Sequence, residues 1–274
     1  MHLYQLNSKV RLIKNCTFVI YMRLGIFSFF GIWLLLFNFT HGQSNSRDSL
    51  LAIHAVGFGG GIQLPFADMS ERFGANGSVG FSYSFKTKSN LLIGAEGSLL
   101  FGSNVKNNIS LAADIRTLDG FFIDNQGQLA EVLIQERGLD TRLTLGKIFP
   151  GLGPNLNSGI LVKFGLGFLQ HRIRFEARQN EVPQIEGDAQ SGYDRLSNGI
   201  SISQFVGYHQ YGNRNRLNFS VGIEFIEAFT QSRRDYNIDL MRKDTENRLD
   251  GLVGIKAIWM IPIVNRSSEK YFTY

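Results

Sequence analysis

The feature that most constrains this chain is a two-residue alternation that recurs along it. Between Leu249 and Ile263, Leu249, Gly251, Val253, Ile255, Ala257, Trp259, Ile261 and Ile263 form one face with no polar side chain. The other face carries Asp250, Gly254 and Lys256. The same contrast recurs where Val79, Phe81, Tyr83 and Phe85 alternate with Gly80, Ser82 and Ser84, and where Ile160, Val162, Phe164, Leu166 and Phe168 alternate with Lys163, Gly165 and Gly167. Leu217, Phe219, Val221, Ile223 and Phe225 do so against Asn218, Ser220, Gly222 and Glu224. A period of two belongs to β-strands, whose successive side chains point to opposite faces. Eight such segments are read, near Ile53 to Leu64, Ala75 to Phe85, Leu91 to Ser103, Leu139 to Phe149, Gly159 to Ala177, Gly199 to Tyr211, Leu217 to Gln231 and Arg248 to Val264. Helical periodicity is nearly absent. With 30 Gly, 23 Phe and 43% apolar residues in 274, disorder and collagen are excluded and a full core is affordable.

The connections alternate in length. Lys86 to Asn90, Pro150 to Asn157 and Gly212 to Arg216 are short and hold Gly, Pro or Asn, as turns do. Asn104 to Gly138, Arg178 to Asn198 and Ser232 to Asn247 are long and polar; the first connection, Pro65 to Gly74, is short, and its Phe66 to Arg72 reads as a helical turn. Short turns at one end and long loops at the other, with an even strand count, describe an outer-membrane barrel. Closure removes the unpaired edges that lipid does not tolerate. In a soluble barrel or sandwich the same apolar faces would point inward, leaving glycines and charges outside at strand centres, where Gly weakens a strand for no gain. The expectation is therefore all-β: an eight-stranded antiparallel transmembrane β-barrel over residues 43–264, with short periplasmic turns and long extracellular loops.

The amino terminus reads as an address. Met22-Arg23 precedes 16 predominantly apolar residues, Leu24 to Phe39, then Thr40, His41 and Gly42, the pattern of a cleaved secretory signal over residues 1–42 whose start is Met1 or Met22. The stretch is shorter than the ~18 to 20 residues of a spanning helix. Lys9, Arg11, Lys14 and Arg23 lie in this segment with no acid, so residues 43–274 hold 24 basic against 23 acidic residues, and the formal +5 charge is no nucleic-acid footprint. Cys16, the single cysteine, also lies there, leaving a mature chain without disulfides. The tail 265–274 is too short for a further periplasmic domain.

If the apolar faces meet lipid, the lumen receives Glu96, Arg142, Lys163, Glu224, Asp250 and Lys256, three acids and three bases. Charges in a narrow, dry interior cost several kcal/mol each unless paired. The balance points to an interior polar plug, against the alternative of hydrated, pore-facing charges in a narrow channel for small solutes. Phe58, Phe66, Phe73, Phe85, Phe101, Phe149, Tyr208, Tyr211 and Trp259 fall where strands meet loops, as interfacial girdles do. Phe121 and Phe122 form an apolar pair in the middle of the loop Asn104 to Gly138 and point to a partner contact or to a loop folded over the barrel mouth.

Catalysis finds little support. A lipid-modifying acyl-transfer site would draw on His171 with a serine such as Ser103 or Ser201, yet Gln170-His-Arg-Ile-Arg174 reads equally as a polar strand end meeting lipopolysaccharide phosphates. His54 and His209 have no evident partners, no metal-ligand spacing occurs, and no cofactor is implied. Gly57-Phe-Gly-Gly-Gly61 lies within a strand, not between strand and helix, so it relieves crowding in a barrel wall and does not cradle a phosphate.

Taken together, Gly42-Gln43, the eight segments and the final Arg-Leu-Asp-Gly-Leu-Val-Gly-Ile-Lys-Ala-Ile-Trp-Met-Ile-Pro-Ile strand resemble the small eight-stranded outer-membrane barrels of Bacteroidetes, within the broad OmpA-like and PorT-like class. One departure is that the strand ends near Ile263 with ten residues following, where such proteins commonly end on an aromatic. The resemblance implies an integral outer-membrane protein, often without enzymatic activity and in some members an accessory part of a secretion or assembly machine. Its partners would be outer-membrane lipid and lipopolysaccharide, together with a protein in the outer membrane or periplasm.

Overall fold

A computed structural model describes residues 50–106, 111–153, 155–178, 181–212 and 218–263. The expected signal, 1–42, and the tail, 265–274, lie outside the described residues. The strands are β1 (Ile53–Ala67), β2 (Asn76–Lys86), β3 (Leu91–Gly102), β4 (Phe122–Ile123), β5 (Leu129–Ala130), β6 (Val132–Phe149), β7 (Gly159–Ala177), β8 (Ser197–Tyr211), β9 (Asn218–Ser232) and β10 (Asn247–Ile263). Eight of them close an antiparallel barrel in the order β1-β10-β9-β8-β7-β6-β3-β2, with β2 returning to β1, while β4 and β5 form a small separate hairpin. The closing seam pairs His54 with Ile263 and runs to Ala67 with Asp250.

Alternation sets the two walls. Outward, Phe58, Ile62, Leu64, Phe81, Ile93, Leu99, Leu143, Leu145, Leu166, Ile200, Ile223, Phe225, Phe229, Ile255, Trp259 and Ile261 are all exposed, and they follow one another around the whole circumference. A belt of this kind far exceeds the apolar patches that soluble monomers expose. Inward, the lumen is stratified. At the turn end Ile53, Ala55, Tyr211, Ile258 and Met260 pack together, as do Leu92, Ile148, Leu161 and Phe205. Lys86 is fully buried there and donates to the carbonyl of Leu51 (3.0 Å) and to Asn157 Oδ1 (2.8 Å). The loop end is sealed by a larger apolar cluster that includes Met69, Phe73, Leu111, Phe122, Ile173, Phe175, Val182, Ile185 and Tyr193.

Three expectations change. Strand β6 begins at Val132, seven residues before Leu139, and pairs with β7 to Val132↔Ala177, so the longest loop is shorter than its polar composition suggested. Phe73 and Tyr211 are buried inside the barrel and belong to no girdle, whereas Phe58, Phe101 and Trp259 do lie on the outer wall. Phe122 is 3% exposed in the cap and Phe121 is 48% exposed, so the apolar pair divides and only Phe121 lies at the surface. The helical turn expected in the first loop is the 3₁₀ helix Asp68–Glu71, and the second long loop adds a short helix, α1 (Gly187–Tyr193).

Candidate functional site

The lumen holds two polar clusters at different depths. In the central one, Glu96 on β3, Asp140 and Arg142 on β6, Lys163 on β7, Glu224 on β9 and Lys256 on β10 form an unbranched chain of ion pairs. Lys163 pairs with Glu96, whose other oxygen lies 2.7 Å from Lys256 Nζ. Lys256 then reaches Glu224 at 3.1 Å, Glu224 accepts from Arg142 at 3.0 Å, and Arg142 ends the chain on Asp140. Cation and anion alternate from end to end, and all six side chains are buried. Lys163 also lies over the Phe205 ring, 4.9 Å from its centroid.

Small residues make room for this chain. Gly59 on β1 and Gly80 on β2 are direct cross-strand partners. A Cβ on either would come within 2.2 Å of a backbone oxygen, of Ala257 or of Gly97 respectively, so no side chain fits and the space goes to the lysine and glutamate arms. Between Gly59, Gly80, Ser82, Glu96, Ser98 and Lys256 only a void of about 10 Å³ is left. That is room for roughly one water.

The second cluster lies nearer the loop end. Asp250 on β10 accepts from Arg72 and from the Thr230 hydroxyl, and its Oδ2 lies 2.8 Å from His171 Nε2. Arg72 follows the first-loop 3₁₀ helix and enters the barrel from above; Asp68 of that helix accepts from the Leu249 amide at 2.8 Å, fastening the loop to β10. The His171 ring stands edge-on to Phe73, with centroids 5.5 Å apart. Alongside, Asn76 Nδ2 donates to both oxygens of the buried Glu136 at 3.1 Å. Over this cluster the loops fold down: Arg116 covers the Phe122 ring at 4.5 Å, and the Tyr193 hydroxyl donates to Asp114 at 2.9 Å. Burial first, and then that bond, push the Tyr193 phenol up to about 12. Arg234 and Arg195 tie neighbouring loops together through Asp194 and Asp239.

Five of the six expected lumen residues thus stand in one chain, and Asp250 stands apart with Arg72 and His171. Its place in the chain is taken by Asp140, whose parity matches that of Arg142 two residues on. Glu136 and Arg72 were not among the expected lumen residues because both fall in segments read as loop or helical turn. Of the acyl-transfer candidates, His171 has no exposed surface and is bonded to Asp250, Ser201 faces the lumen, and Ser103 is exposed at the end of β3. His54 stacks on Phe85 on the outer wall with Nδ1 2.8 Å from Tyr83 Oη, while His209 is buried with neither ring nitrogen hydrogen-bonded among the described residues.

No known family and no curated protein matches the sequence. Among solved structures, Ail, the attachment invasion locus protein of Yersinia pestis, crystallised with the heparin analogue sucrose octasulfate, aligns over 76% of this chain and 98% of its own at 9% identity and a TM-score of 0.39. Neisserial surface protein A aligns over 76% and 96% at 9% identity, TM-score 0.37. OprG, an outer membrane protein of Pseudomonas aeruginosa, covers the same shares at 10% identity, TM-score 0.34. Likenesses at this level bear on neither ligand nor activity.

Proposed function

We propose that the protein is an integral outer-membrane β-barrel, exported through a cleaved signal, that serves as a non-enzymatic structural or accessory subunit and binds its partner through the extracellular loops. The observation that carries this reading is the pairing of two walls: an uninterrupted apolar belt outside, and inside a lumen occupied by paired charges and sealed by apolar layers at both ends. The belt needs lipid, since in water it would be an aggregation surface. The filled lumen argues against the narrow pore, because conduction requires hydrated charges and the central void holds about one water. The burial of His171 beneath Phe73 and its bond to Asp250 leave no access for an acyl chain, which favours a role without chemistry. The exposed apolar residues Leu118, Phe121, Ile123 and Leu129 on and beside the β4-β5 hairpin are the surface offered to a protein partner.

The test is to tag the carboxyl terminus, extract the outer membrane in mild detergent, and identify stoichiometric companions by mass spectrometry. A companion retained by the native protein and lost from L118S/F121S/L129S supports the accessory reading. Isolation of the protein alone, with steady conductance in a planar bilayer, refutes it in favour of the pore.

A further inference from the structure

Above the apolar belt, the outer faces of β6 and β7, together with the residue that follows β9, carry a row of arginines that the protein itself does not neutralise. Registers define the rows. Phe168, Ile200 and Phe229 are neighbours across β7, β8 and β9 and are the last apolar row on those strands. One outward position further, Gln170, Asn198 and Gln231 make an amide row. The next row begins with Arg137 directly opposite Arg172 across β6 and β7 and continues through Leu196, whose carbonyl accepts from the Arg233 amide at 2.8 Å. Arg233 Nε is bonded to Asn198 Oδ1 at 2.6 Å, which holds it on the same wall.

Like charges directly opposite on one face of a sheet destabilise the pair. Arg137 spends its bonds on Gln135 and on its neighbour's carbonyl, neither of them an anion. Arg172 is exposed and makes no ion pair or hydrogen bond among the described residues. Arg174, one outward position beyond, faces Glu176 at 3.7 Å. Two arginines directly opposite each other on one face of the sheet, with an amide row beneath them and apolar side chains beneath that, match an anion that sits at the edge of hydrocarbon. Arginine binds phosphate bidentately, and amides suit sugar hydroxyls.

Building on the outer-membrane reading, we propose that Arg137 and Arg172, flanked by Arg233, bind the phosphate of a phosphorylated glycolipid headgroup in the outer leaflet, and that this anion neutralises the opposed pair. The test uses the full chain in dodecyl maltoside micelles, with diphosphoryl lipid A titrated in and thermal unfolding followed by Trp259 fluorescence. Lipid A should raise the unfolding midpoint saturably, and R137Q/R172Q should weaken its apparent affinity about tenfold or more, as expected for lost charge-assisted hydrogen bonds. Without lipid, the same variant should unfold at or above the native midpoint, because the repulsion is gone. R172Q alone, which removes a side chain with no bonds to lose, repeats the test with the smallest structural change. An unchanged lipid A response in these variants, a variant destabilised in the absence of lipid, or an equal shift from inorganic pyrophosphate would each overturn the site. Failure of the membrane reading looks different: the native protein would stay monomeric without detergent, before any lipid is added.

Discussion

The order of charges along the central chain makes a prediction that charge counting alone does not. From Lys163 the sequence of pairs is Glu96, Lys256, Glu224, Arg142, Asp140. Removing Glu224 by Glu224→Gln deprives both Lys256 and Arg142 of one partner inside a buried, low-dielectric lumen, and breaking a buried pair costs about 3–5 kcal/mol. Removing Glu224 and Lys256 together excises one internal link and leaves two complete pairs, Lys163 with Glu96 and Arg142 with Asp140. E224Q/K256M should therefore be destabilised by less than the sum of its singles, with a coupling of about 1–3 kcal/mol. Removing Glu96 and Arg142 deletes the same net charge but strands Lys163 at one end and Asp140 at the other. E96Q/R142M should cost at least as much as the worse of its singles. The assay is urea unfolding from lipid vesicles, read by Trp259, the one tryptophan downstream of Trp33 in the expected signal. Equal stability of the two doubles would refute the linear pairing and leave only overall neutrality as the explanation.

Three further outcomes are expected. Gly80→Ala should hinder barrel formation because its Cβ meets the Gly97 carbonyl oxygen at 2.2 Å, whereas Gly97→Ala, with nothing within 4 Å, should change stability by no more than about 0.5 kcal/mol; comparable folded yields from the two would refute the steric account. Arg72→Ala removes a cation from buried Asp250 and should both lower the urea midpoint and open the first loop to protease; an unchanged cleavage pattern would show that the loop is fastened without the Arg72 side chain. The Tyr193 phenol keeps its proton to about 12, whereas an unfolded tyrosine loses it near 10, so its contribution is complete below about pH 10 and declines as pH rises towards 12. Ultraviolet titration of the native protein against Y193F should locate that midpoint, and D114N should lower it; a midpoint near 10 in the native protein would count against the buried bond to Asp114.

Strand parity was the part of the fold that the sequence made legible. Once one face of Leu249 to Ile263 is seen to be wholly apolar, Lys256 must point the other way, and the same reasoning placed Glu96, Arg142, Lys163 and Glu224 in the lumen. Depth along the barrel was not legible. Asp250 shares its face with Lys256 but lies six residues along the strand, and only the register to β9 and β1 shows that it meets Thr230 and Arg72 and not the central lysines. The start of β6 was hidden because Val132, Leu133 and Ile134 are apolar on both faces: above the belt the outer face no longer needs to differ from the inner one, so the alternation that betrays a strand fades. Which of the two readings applies to Phe121 and which to Phe122 was not legible for a related reason. A loop that folds back over a barrel mouth buries some of its apolar residues, and sequence alone does not say which.

Lys256 lies on β10, the last strand among the described residues, yet it joins Glu96 on β3 to Glu224 on β9. During synthesis and insertion, neither glutamate has its full complement of cations until the final hairpin arrives. A nascent sheet of seven strands therefore carries three acids of the chain, Glu96, Glu224 and Asp140, against two cations, Lys163 and Arg142, and only seating β10 against β1 cancels the remaining negative charge. The same strand that closes the ring thus also supplies the cation that joins the two halves of the charge chain, so closure of the wall and neutralisation of the interior are one event.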